Sequence, residues 1–178
     1  MCFTRFEISN GRRRNDCVAL SAMVEIALTA AERRFFLRLN ELSVPYLVVG
    51  LSAAVLQGAD TATLDIDLWF QDRSDPRIAD AAKTAGGVWI PGHFGMMPPT
   101  LGGDELGDRL DVVLTASGLG DFDVEHSGAL QIEVDEILLP VLPLERIILS
   151  KRAAGRVKDL AVLPALEAAL AAARSASQ

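Results

Sequence analysis

Asp65 and Asp67 are the residues in this chain whose type and spacing most directly suggest chemistry. They sit inside Thr63-Leu64-Asp65-Ile66-Asp67-Leu68-Trp69-Phe70, a run otherwise rich in apolar, aromatic and β-branched residues that reads as a buried β-strand. In a strand, side chains at i and i+2 share a face, so the two carboxylates project side by side. Adjacent carboxylates repel, and a hard divalent cation such as Mg²⁺ relieves that repulsion with the oxygen ligands it prefers. The competing reading is a solvent-facing edge that keeps both charges in water. Arg109-Leu110-Asp111-Val112-Val113-Leu114 repeats the pattern in miniature, and Asp111 is the natural third ligand. Its alternative is a strand-entry aspartate bonded to Arg109 or a nearby loop.

The elements that must position these groups follow in chain order. Thr29-Ala30-Ala31-Glu32 is a capping box, opening an amphipathic helix with Phe35, Phe36, Leu39 and Leu42 on one side and Glu32, Arg33, Arg34, Arg38 and Asn40 on the other. It ends near Ser43, before Pro45. Tyr46 to Val49 is a short buried strand running into Gly50, a tight strand-to-helix turn before a short helix and the terminator Gly58. Glycine there lets a ligand or another backbone approach closely, and the following helix start offers N–H groups to anions. Ordinary turn chemistry explains the same residues. Only Ala59 to Ala62 separates this helix from the Asp65/Asp67 strand, so the two strands are expected to be neighbours.

Ser74-Asp75-Pro76 enters a helix over Ile78 to Ala85, and Val88-Trp89-Ile90 reads as a strand. Residues 91–107, dense in Pro and Gly, read as a long loop that is functional or mobile, with His93 a surface or packing residue and Asp104, Glu105 and Asp108 solvated. Asp121, Asp123, Glu125 and His126 form an acidic cluster without the glycine and terminal glutamate of a calcium loop. Strands are expected over Leu130 to Val134 and Leu138 to Leu142. Pro143 opens a helix ended by Gly155, and a last helix carries Leu160, Leu163, Leu166 and Leu170, with Pro164 marking a restart or kink. Lys151, Arg152, Arg156 and Lys158 are the densest basic cluster after Arg12-Arg13-Arg14, either solvating helix ends or facing a polyanion.

Composition bounds the rest. The chain has 178 residues, half of them hydrophobic, enough for one globular core. A net charge of −7 argues against general binding to DNA or anionic membrane. No apolar run reaches the ~18 residues of a membrane span. Cys2 and Cys17 offer no metal-site spacing, and a cytoplasmic protein is expected. Residues 1–22 read as a poorly ordered extension, 23–142 as the core and 143–178 as a helical segment packed on it. Met23 is an alternative natural start.

Taken together, the turn at Val49-Gly50, the pair Asp65-Ile66-Asp67, the later Asp111, and the run Leu144-Glu145-Arg146 through Lys151-Arg152-Ala153-Ala154-Gly155-Arg156-Val157-Lys158-Asp159-Leu160 resemble the polymerase-β type nucleotidyltransferases. More narrowly, they are similar to the small bacterial AbiEii-like group of toxin–antitoxin and phage-defence systems. The resemblance spans about residues 44–167. It implies an α/β (α+β) nucleotidyltransferase fold, a mixed sheet flanked by helices with further helices at the C-terminus. It also implies two Mg²⁺ ions held by Asp65, Asp67 and Asp111, and an NTP whose phosphates meet Gly50, the backbone around Leu51 and Ser52, Lys151 and Lys158, with Asp159 an orienting partner. Two features depart from the family pattern. Leu51 follows Gly50 where Gly or Ser is usual, and Asp60-Thr61-Ala62 stand where an arginine is often found. The activity implied is transfer of an NMP to a hydroxyl of RNA (a tRNA end) or of a protein, with a cognate toxin or antitoxin as partner. The alternatives are an antitoxin-like binding module of the same fold with weak catalysis, and a metal-dependent phosphohydrolase.

Overall fold

The computed structural model describes residues 26–92, 97–103 and 106–176. The expectations for residues 1–22 and for His93, Asp104 and Glu105 lie outside the described residues. Helix α1 (Ala30–Glu41) starts at the capping box read from the sequence: Thr29 accepts from the Glu32 backbone and Glu32 reaches back to the Thr29 N–H. The glutamate, though, is not on a polar face. Its side chain is fully buried, and Arg109 meets it at 3.4 Å.

Strands β1 (Tyr46–Val49) and β2 (Ile66–Phe70) pair antiparallel, and β2 pairs in parallel with β5 (Leu110–Val112). On the far side, β1 lies parallel to β7 (Ile137–Val141), which forms a hairpin with β6 (Leu130–Val134). The order β5-β2-β1-β7-β6 is a mixed sheet. All four residues of β1 are buried, so the sheet is covered on both faces. Phe36 of α1 packs on Tyr46, and Tyr46 on Phe70, which fixes α1 over the face carrying Ile66, Leu68 and Phe70. Asp67 and Trp69 point to the opposite face, where Trp69 meets Phe122 of α4 (Phe122–Ser127) edge-on.

Several expectations are corrected here. The strand begins at Ile66, not Thr63, and Leu64 is 82% exposed, because the chain enters the sheet only where β5 offers a partner: Ile66 N–H donates to the Arg109 carbonyl. The glycine- and proline-rich stretch after Ile90 is not a loop throughout. Thr100–Gly102 forms β4, paired with β3 (Val88–Ile90) in a separate two-stranded sheet, and Leu101 and Leu106 are fully buried. The acidic group at Asp121 to His126 is helix α4, with Glu125 turned inward. Finally, the last helix does not restart at Pro164, which lies inside α6 (Val157–Ala176). The carbonyl that Pro164 leaves without a donor belongs to Leu160, a half-exposed residue that water reaches.

Helix α3 (Pro76–Thr84) packs against α1, and α5 (Leu144–Ala154) against α6 and α2 (Gly50–Val55). One side chain sets the α2–α5 geometry. Gln57 donates to the carbonyls of Ala53 and Leu142, and its own carbonyl accepts from Leu144 N–H at 3.0 Å. Pro143 offers no capping side chain to α5, so this glutamine from just beyond α2 supplies the missing acceptor.

Candidate active site

The sheet register brings the predicted carboxylates together. Asp67 lies opposite Val49 of β1 on one side and directly beside Asp111 of β5 on the other. Parallel neighbours in register share a face, so Asp67 and Asp111 project together, with Asp65 two residues upstream at the strand mouth. Asp65 and Asp111 are exposed and Asp67 is half-buried. The alternative for Asp111, a bond to Arg109, is not what the structure shows. Arg109 donates to the carbonyls of Leu64 and Ala27 and pairs with Glu32.

The glycine turn is built around Asp67. Gly50 has φ of +66°, in the left-handed region, and a methyl group there would collide with the Asp67 carboxylate. Glycine is therefore required twice over, for the turn and for the carboxylate. Ser52 is buried. Its hydroxyl donates to the Val49 carbonyl at 2.9 Å and accepts from Asp67 N–H at 3.3 Å, stitching the turn to β2. Leu51 packs, half-buried, against the hydrophobic core. Of the three turn residues, Gly50 alone lines the cleft.

That cleft, about 140 Å³, runs from Gly50 and Asp67 to Lys151, Arg156 and Asp159 at the α5–α6 junction. Gly155, in the left-handed conformation, closes α5 and swings the chain into α6. Asp159 is fully buried there and takes Lys151 Nζ on one oxygen at 2.8 Å and Arg156 Nε on the other. Burial pushes the Asp159 carboxyl up, but the bonds from Arg156 and Lys151 outweigh it and hold the group below its ordinary value. Lys158 is exposed and outside the cleft wall, although its charge reaches Asp67.

Asp67 is the electrostatic centre. Burial pushes its carboxyl up to about 6; Lys151 opposes this, Asp111 and Asp65 add to it, and Lys158 opposes it more weakly. Four of the residues singled out in the sequence thus act on a fifth. Among the described residues, none donates a hydrogen bond to the Asp65, Asp67 or Asp111 carboxylates. As placed, no three acidic, histidine or cysteine side chains of the described residues converge to metal-ligand distance. Backbone register rather than side-chain rotamer brings the carboxylates together. Three carboxylates without a hydrogen-bond donor among the described residues offer the oxygen ligands that a hard dication takes, so the donor set fits Mg²⁺.

Sequence reasoning placed Arg156 in a basic cluster but gave it no site role, and did not single out Gln57 or the segment after β5, whose Thr115 and Ser117 line the cleft with Val113. For Arg156 a signal was present: Asp159 follows it by three residues, the spacing of a helical ion pair. For the other two no local signal exists, since both matter only through contacts distant in sequence.

No protein-family profile and no curated protein sequence matches this chain. Solved structures do. The crystal structure of ANT(2″)-Ia in complex with adenylyl-2″-tobramycin aligns with a TM-score of 0.50 at 16% identity, over 82% of this chain and 96% of that one. The solution structure of the antibiotic-resistance factor ANT(2″)-Ia aligns at 0.49 and 17%, over 83% and 91%. An antigenic nucleotidyltransferase-like protein from Paracoccidioides brasiliensis aligns at 0.47 and 17%, over 79% and 78%. The mixed sheet flanked by helices is therefore a nucleotidyltransferase fold. No helix among the described residues is long and apolar enough to cross a membrane.

Proposed function

We propose that this chain is a Mg²⁺-dependent nucleotidyltransferase that moves an NMP from an NTP to an acceptor hydroxyl. The observation that carries the reading is the parallel pairing of Asp67 with Asp111, beside Gly50 and across the cleft from Lys151. The ANT(2″)-Ia structure, which holds an adenylylated compound, shares the fold and supports the reaction class.

Asp65, Asp67 and Asp111 would hold Mg²⁺, which when bound neutralises triphosphate charge and lowers the pKa of the acceptor hydroxyl. The chain's own groups do the rest. Gly50 leaves Asp67 room against the backbone, and Ser52 fixes the strand at that point. Lys151 brings positive charge to the phosphates, held by Asp159. Asp111, exposed at the edge strand, takes the acceptor's hydroxyl proton on a carboxylate oxygen. The acceptor oxygen bonds to the α-phosphorus, the bond to the bridging oxygen breaks, and pyrophosphate leaves.

The acceptor is RNA with a tRNA-like end or a protein side chain, in the cytoplasm, and the AbiEii-like sequence run supports a toxin–antitoxin or phage-defence setting. Incubation with labelled NTPs, Mg²⁺ and cell extract tests this. Label should pass to RNA or protein and vanish with Asp65→Ala or Asp67→Ala. Release of inorganic phosphate alone would make the chain a phosphohydrolase. Tight partner binding that survives both substitutions, without transfer, would make it a binding module.

A further inference from the structure

We infer that Lys151 and Arg156, clamped from behind by Asp159, form the pyrophosphate cradle of the cleft, with Asp159 the positioning residue and Arg156 rather than Lys158 the second cation. The inference rests on the proposed nucleotide site and names which groups hold its leaving phosphates.

Both cations belong to the cleft wall that contains Asp67, whereas Lys158 does not line it. They come from different elements, Lys151 from the last turn of α5 and Arg156 from the link to α6, so nothing in the helices alone would bring them together. Asp159 does. Its side chain is fully buried, with Oδ2 accepting from Arg156 Nε and Oδ1 shared between Lys151 Nζ and Arg156 Nη2. Three contacts reach it: Lys151 Nζ, Arg156 Nε, and Arg156 Nη2 at 3.3 Å. These occupy one edge of the guanidinium and one ammonium proton. The outer guanidinium edge remains, on a side chain 62% exposed, with the other ammonium protons on a lysine 18% exposed. Two cations around one buried anion leave a net positive charge on the wall of the cleft that Asp67 also lines. A planar guanidinium edge matches two phosphate oxygens, and an ammonium serves as a point charge beside it. Asp159 also fixes both long side chains before a ligand arrives, which removes much of the ordering cost of binding.

The test is binding of inorganic pyrophosphate in excess Mg²⁺ at constant ionic strength, followed by calorimetry. This probe needs no acceptor and no choice of base. Arg156→Ala and Lys151→Ala should each weaken binding about tenfold or more, as loss of a charge-assisted contact does. Lys158→Ala should change it less than about twofold, as a screened exposed charge. Asp159→Asn keeps the shape and both cations, and should weaken binding several-fold in a folded protein with an unchanged circular dichroism spectrum. Its effect should largely disappear in an Arg156→Ala, Lys151→Ala background, a coupling that a general structural role would not produce. Arg156→Lys should recover only part of the loss. Unchanged binding in Arg156→Ala, or tighter binding in Asp159→Asn, would overturn the cradle. So would wild-type protein that transfers label from NTP yet gives the same KM with Arg156→Ala, and that result would leave the transfer reaction standing. A wild type that binds pyrophosphate normally but transfers no label would instead overturn the proposed reaction and leave the cradle.

Discussion

Two groups of inward carboxylates in this chain have opposite electrostatics. Glu125 of α4 accepts from both Arg146 guanidinium contacts and from Gly120 N–H, with its side chain 3% exposed. The Arg146 bond, chiefly, with help from the Gly120 N–H, holds its carboxyl below the ordinary value against burial. Asp67 is half-buried at the cleft and receives no hydrogen bond on its carboxylate from any described residue. Burial, together with Asp111 and Asp65, pushes it the other way. A carboxylate whose protein partners are complete is structural; one crowded by like charge and left without donors is available to a ligand. Satisfaction of the group, more than its burial, separates structure from function here.

The comparison can be broken most sharply at Asp67. Asp67→Asn should lower transfer by about 10³-fold, since it removes a carboxylate that the transition state needs. The same substitution should raise stability at pH 7 in EDTA, by on the order of 1 kcal/mol from urea melts, because it removes a charge whose burial costs free energy. The sign follows from linkage. With its folded value above its unfolded one, Asp67 favours the folded state fully below the unfolded value and loses that contribution as pH rises through about 6. The stability difference between Asp67→Asn and wild type should therefore shrink toward zero on acidification. A substitution that destabilises at neutral pH would contradict the assignment.

Gly50→Ala is next. Its methyl would strike the Asp67 carboxylate and its φ lies in the left-handed region, so transfer should fall about 10²-fold with a stability loss of about 1 kcal/mol or more. Arg146→Ala reads the opposite member of the comparison. It leaves Glu125 inside the fold with only the Gly120 N–H, and should cost about 2–3 kcal/mol in chemical denaturation without a specific effect on Mg²⁺-dependent binding. Glu125, with a lowered folded value, contributes stability above its unfolded value and loses it as pH falls through the folded one. The Arg146→Ala penalty should accordingly diminish in acid, as the Asp67→Asn gain does, though the two have opposite signs at pH 7. The smallest stability effect belongs to Asp111→Asn. The residue is exposed, so melting should shift within about 0.5 kcal/mol while transfer is still lost.

Much of this was legible in the sequence because it is local. The Thr29–Glu32 capping box, the apolar spacing of Phe35, Phe36 and Leu39, the glycine after Val49 and the alternation through Asp67 each depend on backbone geometry within a few residues. The positions of Asp65, Asp67 and Asp111 could be chosen for the same reason: charged residues in apolar strands are costly enough to stand out. What could not be read is everything set by a partner distant in the chain. Leu64 looked like strand interior, yet β2 starts only where the Arg109 carbonyl accepts from Ile66 N–H. Glu32 looked like a polar-face residue until α1 met the sheet. That the Ser52 hydroxyl is committed to Val49 and Asp67, stitching the Gly50 turn to β2, shows only in the fold.

By itself the sequence determined which residue types were present to do chemistry and the secondary structure that carries them, because helix and strand periodicity are short-range properties. Tertiary structure alone decided that β2 and β5 run in parallel register, so that Asp67 and Asp111 are adjacent rather than one strand-step apart. It alone decided that Gln57 pins α5 beside the Gly50 turn, and that Asp159 gathers Lys151 and Arg156 at the cleft that Asp67 lines. The reason is physical. A one-residue slip in register moves a side chain to the other face of a sheet, and no local propensity fixes register between strands separated by a long stretch of chain.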